Sequence, residues 1–192
     1  MIKFINVYKK YLNKIVLNDI SFTLENNSFT LLVGENGSGK STILKLISKH
    51  IQKTSGKIDV DGSVAYLQEK YTLPRHIDVK TYISFLESLY NVDLSYYVKY
   101  LDIPKIKIRE LSKGNLQKLG IISLIASKAE ILLLDEPSEG MDSETKKKFL
   151  NILSTFKKEN KTIVISTHDP KDYIKLKTNT IYLREGTICE NF

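Results

Sequence analysis

Apolar and polar positions alternate along this chain in two distinct rhythms. Phe29 to Val33 reads as a short buried strand. Ile131-Leu132-Leu133-Leu134 is a continuous apolar run ending in Asp135-Glu136, the pattern of a strand buried on both faces of a parallel sheet. Thr162 to Ser166 reads as a further strand. Ile2 to Tyr8, Ile15 to Leu24, Lys57 to Val60 and Val64 to Leu67 are also strand-like, with Ser55-Gly56 and Asp61-Gly62 expected as turns around the third of these. From about Lys70 to Glu110 the period becomes helical. Tyr82, Ile83, Phe85, Leu86 and Leu89 recur at helical spacing, as do Leu94, Tyr97, Val98 and Leu101, and Pro74 and Pro104 bracket the region. Helices are also expected over Thr42 to Ser48, through Leu116, Leu119, Ile122 and Leu124, and over Ser143 to Lys158, with a hairpin through Arg184-Glu185-Gly186 at the end. The pattern predicts an α/β fold around a mostly parallel sheet.

Two segments of this framework carry chemistry. After the Phe29 to Val33 strand comes Gly34-Glu35-Asn36-Gly37-Ser38-Gly39-Lys40-Ser41-Thr42, with its glycines, lysine and serine at the spacing of a phosphate-binding loop. Glycines let successive backbone N–H groups converge on one point, and the helix that follows favours an anion there. Lys40 can reach β- and γ-phosphates, and the Ser41 hydroxyl is placed to ligate Mg²⁺. These residues predict binding of a nucleoside triphosphate. The run ending at Asp135-Glu136 delivers two carboxylates to the C-terminal edge of the sheet, where ligands of such sheets bind. Asp135 is expected to hold Mg²⁺, directly or through water, and Glu136 to polarise an attacking water.

Length and composition narrow the picture. With 192 residues, 42% of them hydrophobic, one domain with one substantial core is expected. No apolar run approaches the roughly 20 residues of a membrane-spanning helix. The N-terminus shows no secretion signal, and the single cysteine, Cys189, fits a reducing compartment. The net charge of +7 comes mostly from scattered lysines, the densest run being Lys146-Lys147-Lys148. It is open to three readings: a solvated exterior, attraction to an anionic membrane surface, or nucleic acid. No Arg-rich or aromatic-interleaved tract resembles a nucleic-acid module, so no stable nucleic-acid partner is expected.

Between the two chemical segments lies Leu111-Ser112-Lys113-Gly114-Asn115, 24 positions before Asp135. Here the chain resembles the ATP-binding cassette (ABC) family, whose nucleotide-binding domains carry a Leu-Ser-Gly-Gly-Gln type of signature at this distance from an acidic strand. Lys113 replaces the first signature glycine and Asn115 the glutamine; Ser112 and Gly114 are kept. Ser112 also reads as the N-cap of the following helix, and both readings can hold, because a capped helix N-terminus still offers unpaired N–H groups.

The resemblance implies a P-loop fold of the ABC type: a mostly parallel core, an antiparallel N-terminal β region, and a helical subdomain over 70–115 within a single domain of 192 residues. It implies roles for further residues. Tyr11 would stack on adenine, and Gln68 would join the core to the helical subdomain and reach the metal. Asp142 would be the aspartate of the Ser138-Glu139-Gly140-Met141-Asp142 loop, a position that also reads as a helix N-cap, and His168 would contact the γ-phosphate. ATP and Mg²⁺ are the implied cofactors, bound by Tyr11, Gly34, Asn36, Gly37, Ser38, Gly39, Lys40, Ser41 and Thr42, with Ser112 and Gly114 closing over the site of a second copy or homologue. The implied activity is ATP hydrolysis that energises a transmembrane permease from the cytoplasmic face of the membrane. Similar Lys-Gly signatures occur in exporters, so export is the expected direction. Tyr71, Tyr82, Tyr90, Tyr96, Tyr97 and Tyr100 are expected to be exposed and to suit an interface with the permease. Cytosolic cassettes that act on chromosomes are less consistent with the chain, because only 42 residues separate Gln68 from Leu111 and leave no space for a long coiled coil. Translation-type relatives generally carry two cassettes on one chain. A small-molecule kinase would leave the Leu111 to Gly114 motif without a use.

Overall fold

The computed structural model describes residues 1–70 and 72–189; Tyr71 lies outside the described residues. In chain order the elements are β1 (Ile2–Tyr11), β2 (Lys14–Leu24), β3 (Phe29–Val33), α1 (Lys40–Ile47), β4 (Ser55–Val60), β5 (Val64–Leu67), α2 (Val79–Tyr90), α3 (Ser95–Tyr100), α4 (Lys113–Ser127), β6 (Ile131–Asp135), α5 (Ser143–Lys158), β7 (Thr162–Thr167), β8 (Asn179–Arg184) and β9 (Thr187–Cys189). Six strands form one sheet in the order β5-β6-β7-β3-β8-β9, parallel throughout except for the antiparallel β8–β9 hairpin. The remaining three form an antiparallel sheet, β2-β1-β4.

The apolar runs are explained by burial on both faces. Within β6, Ile131 and Leu133 pack with α1 and the antiparallel sheet, against Ile43, Leu44, Ile2 and Phe4. Leu132 and Leu134 pack on the opposite face with residues of α2, α4 and α5. Helix α5 illustrates the local rules. Asp142 accepts hydrogen bonds from the Thr145 amide at 2.8 Å and from its hydroxyl, Glu144 sits in the first turn, and Lys157 and Lys158 in the last. Its inner face carries Phe149, Ile152, Leu153 and Phe156. Phe149 is fully enclosed, so Phe149→Ala is expected to lower unfolding free energy by about 3–5 kcal/mol. Urea denaturation measures this, and a loss below about 1 kcal/mol would mean the site collapses around the deletion.

Three local expectations are corrected. Ser55-Gly56 is not a turn but the first two residues of β4; the pairing of β1 with β4 shifts register between Ile5 and Tyr8, and Gly56, at φ 86°, fits against that bulge where a Cβ would stand 2.2 Å from the Asn6 carbonyl oxygen. Tyr82 is buried rather than exposed, with its hydroxyl 2.9 Å from Ser123 of α4. Phe85 and Leu89, included in the apolar period of α2, are exposed, the buried face being Val79, Tyr82, Ile83 and Leu86. No helix among the described residues is long and apolar enough to cross a membrane.

Candidate functional site

The C-terminal edges of β3, β6 and β7 converge on one cleft of about 600 Å³, lined by Tyr11, the loop and first turn of α1, Glu136 and His168. The segment after β3 is shaped by two different uses of glycine. Gly39 holds φ 110° as the residue before α1, and a Cβ there would stand 2.6 Å from the Leu17 side chain. Gly34 needs no positive φ; its constraint is close approach, since a Cβ would lie 2.4 Å from the Leu183 carbonyl oxygen. The Gly186 amide donates to the Ser38 carbonyl at 3.1 Å, so the β8–β9 turn supports the loop from behind.

Lys40 is only 5% exposed, and its ammonium donates to the Gly34 and Glu35 carbonyls at 2.7 and 3.1 Å. It lies 3.7 Å from Glu136 Oε1, while His168 Nδ1 lies 3.1 Å from Glu136 Oε2. Glu136 itself takes φ 45°, an uncommon conformation for a residue with a Cβ, held by hydrogen bonds from its amide to the Ser166 carbonyl and hydroxyl. The turn brings its carboxylate, 13% exposed, back over the loop, where Oε1 has no hydrogen-bond partner. Such a carboxylate can accept a proton from a water held against it.

Beneath this layer Asp135 is buried. Its Oδ1 accepts from Ser41 at 2.9 Å and from Ser166, and its Oδ2 accepts from the Tyr66 hydroxyl at 3.1 Å. Burial, then the Asp135 charge, raise the Tyr66 phenol far above its ordinary range, which keeps it a proton donor to this carboxylate. Ser41 and Asp135 present two hard oxygens side by side at the foot of the cleft, a donor set that fits Mg²⁺. Among the described residues no group of three or more His, Cys, Asp or Glu forms a metal cage, so such a cation would take its other ligands from phosphate and water oxygens.

Of the sequence-predicted residues, Tyr11, Asn36, Gly37, Gly39, Lys40, Ser41, Thr42, Glu136 and His168 line this one cleft, with Asp135 at its base. Gly34 and Ser38 build the loop from behind. Ser112, Gly114 and Asp142 do not line it. Ser112 caps α4, accepting from the Asn115 amide at 3.2 Å, and Gly114 packs on the Gly140 backbone, where a Cβ would come 2.9 Å from the carbonyl oxygen. The bonds from Thr145 hold the Asp142 carboxyl below its ordinary range. Gln68 follows β5, half-buried and outside the lining, whereas its neighbour Glu69 belongs to it. Lys14, Lys45 and Glu139 also line the cleft, and Ser166 and Tyr66 hold Asp135; sequence reasoning singled out none of these.

Residues 17–139 match the family model described as ABC transporter. The zinc import ATP-binding protein of Rickettsia bellii is 33% identical over 98% of this chain and 84% of its own length. The lantibiotic transport ATP-binding protein SrtF of Streptococcus pyogenes is 28% identical over 98% of the chain and 89% of its own length. In three dimensions the fold matches that of a dimeric bacterial ABC transporter cassette with a TM-score of 0.85 at 23% identity, covering 98% of this chain and 96% of the other. With a phosphate loop, an acidic strand and an intervening signature all inside the matched region, the chain belongs to the ABC transporter family, as an ATP-binding, ATP-hydrolysing subunit.

Proposed function

We propose that residues 1–192 form one nucleotide-binding domain that drives a membrane exporter by closing on a second copy or a homologue. The observation that carries this reading is the convergence of Lys40, the Ser41–Asp135 pair and the Glu136–His168 pair on one cleft. Tyr11 offers its ring at the outer end for the adenine. The amides of 36–42 and the Lys40 ammonium bind the phosphates. Ser41 and Asp135 would hold Mg²⁺, with Gln68 the further ligand that the family resemblance implies; when bound, the cation would neutralise phosphate charge. Glu136 takes a proton from the attacking water, and His168 keeps the Glu136 carboxylate oriented toward the terminal phosphate. Ser112 and Gly114 lie outside this chain's own cleft, which supports their use against the nucleotide of the partner. ATP then favours the closed pair, and phosphate loss releases it.

Region 70–115 is the helical subdomain that meets the permease at the cytoplasmic face, and the exposed Phe85, Leu89 and Tyr96 support that use. Export is proposed from the Lys113-Gly114 signature. The zinc import protein supports the opposite direction, and the lantibiotic transport protein is a second relative spanning nearly the whole chain.

Affinity capture with Glu136→Gln and Mg-ATP from gently solubilised native membranes tests the assignment. A stoichiometric polytopic membrane protein is the expected companion; ribosomes, nucleic acid or soluble proteins alone would replace the reading with a cytosolic one. ATP-driven flux in vesicles carrying the captured complex then fixes direction, and movement only toward the cytoplasmic side would overturn export.

A further inference from the structure

The carboxylates of the cleft are not equivalent. Glu136 is matched by Lys40 and His168, and Glu139 by Lys113 at 2.7 Å. Glu69 also lines the cleft, yet it forms no ion pair within 4 Å among the described residues. Register brings the segment that carries it to this edge of the sheet. Leu67 pairs with Leu134, so the chain leaving β5 runs alongside the segment that carries Asp135 and Glu136. Glu69 shares the lining of the cleft with Glu136 and with Ser41, whose hydroxyl is bonded to Asp135. A half-buried, unmatched carboxylate here has one electrostatic consequence: it repels a bare polyphosphate and attracts a cation carried with it.

We propose that Glu69 makes nucleotide binding depend on a divalent cation, selecting the metal-bound over the bare nucleoside triphosphate. The inference rests on the nucleotide cleft described above but adds a residue and a selectivity to it. Because the Ser41–Asp135 pair supplies only part of a coordination shell, Glu69 acts on the cation through its charge and the water and phosphate oxygens around it.

The test is calorimetric titration of ATP into wild-type protein, Glu69→Gln and Glu69→Asp, each in Mg²⁺ and in EDTA. In Glu69→Gln the ratio of the two affinities is expected to shrink about five- to tenfold, mainly through tighter binding in EDTA, as removal of one nearby charge in a partly solvated site requires. Glu69→Asp, which keeps the charge, is expected to retain the wild-type ratio. A Mn²⁺ titration of the ATP-bound proteins, read by the spin-resonance signal of free Mn²⁺, should show weaker cation uptake in Glu69→Gln alone. A ratio within twofold of wild type in Glu69→Gln would overturn the inference, as would an equal loss in Glu69→Asp. If wild-type protein bound no ATP in either condition, the nucleotide reading itself would fall.

Discussion

Replacing Glu136 by glutamine is expected to slow ATP turnover about a hundred- to ten-thousandfold while leaving nucleotide binding intact. The amide keeps the shape of the side chain but cannot take a proton from water. The Lys40 and His168 contacts at 3.7 and 3.1 Å lose their charge partner without losing their neighbour, so the loop should hold its form. Because binding survives and release does not, the variant should accumulate as a nucleotide-bound pair. Phosphate release and light-scattering mass in Mg-ATP measure the two effects together. Turnover within tenfold of wild type would remove Glu136 from the role of base, and His168, whose ring lies against it, would become the group to test next.

The second large effect concerns Lys40. Its ammonium bonds two carbonyls of its own loop and sits beside Glu136, so Lys40→Ala removes both the charge offered to the phosphates and the clasp that shapes the loop. Charge-assisted bonds of this kind contribute about 1.5–3 kcal/mol each, and two of them correspond to an affinity loss of at least about a hundredfold for ATP. Calorimetric titration in Mg²⁺ reads it directly. Retention of affinity within threefold would place the phosphates elsewhere in the cleft.

The parts of this molecule that were readable from the sequence are those fixed by short-range rules. A buried strand followed by glycines, lysine and serine can be recognised because loop, strand and helix are contiguous. The run Ile131 to Asp135 is equally plain, because a sheet covered on both faces leaves no polar position until its edge. What was less legible depends on neighbours distant in sequence. The Ser166 bond to Asp135 exists because β6 and β7 are adjacent, which hydrophobic periodicity does not specify. Burial of Tyr82 depends on which face of α2 meets α4. Gln68 is singled out by its likeness to the glutamine that follows an apolar strand in the family; that Glu69 lines the cleft was not legible, because the chain leaves extended geometry after Leu67 and counting along the strand no longer says which side chain reaches it. Gly56 reads as a turn residue because the bulge it serves lies on another strand, β1.

The position of β3 has a consequence for how the protein is made. The strand leading into the phosphate loop is flanked by β7 and β8, and the loop itself is braced by Leu183 and Gly186. Both sides of the loop's support are therefore translated some 130–150 residues after the strand they hold. A nascent chain that has emerged only as far as α1 carries the loop that grips a triphosphate and the β2 residues packed on Gly39, yet lacks β7, β8 and the β8–β9 turn that brace strand and loop. ATP competence should appear late and abruptly during synthesis, so nucleotide is available to stabilise only the nearly finished molecule and cannot rescue chains that stall before β8.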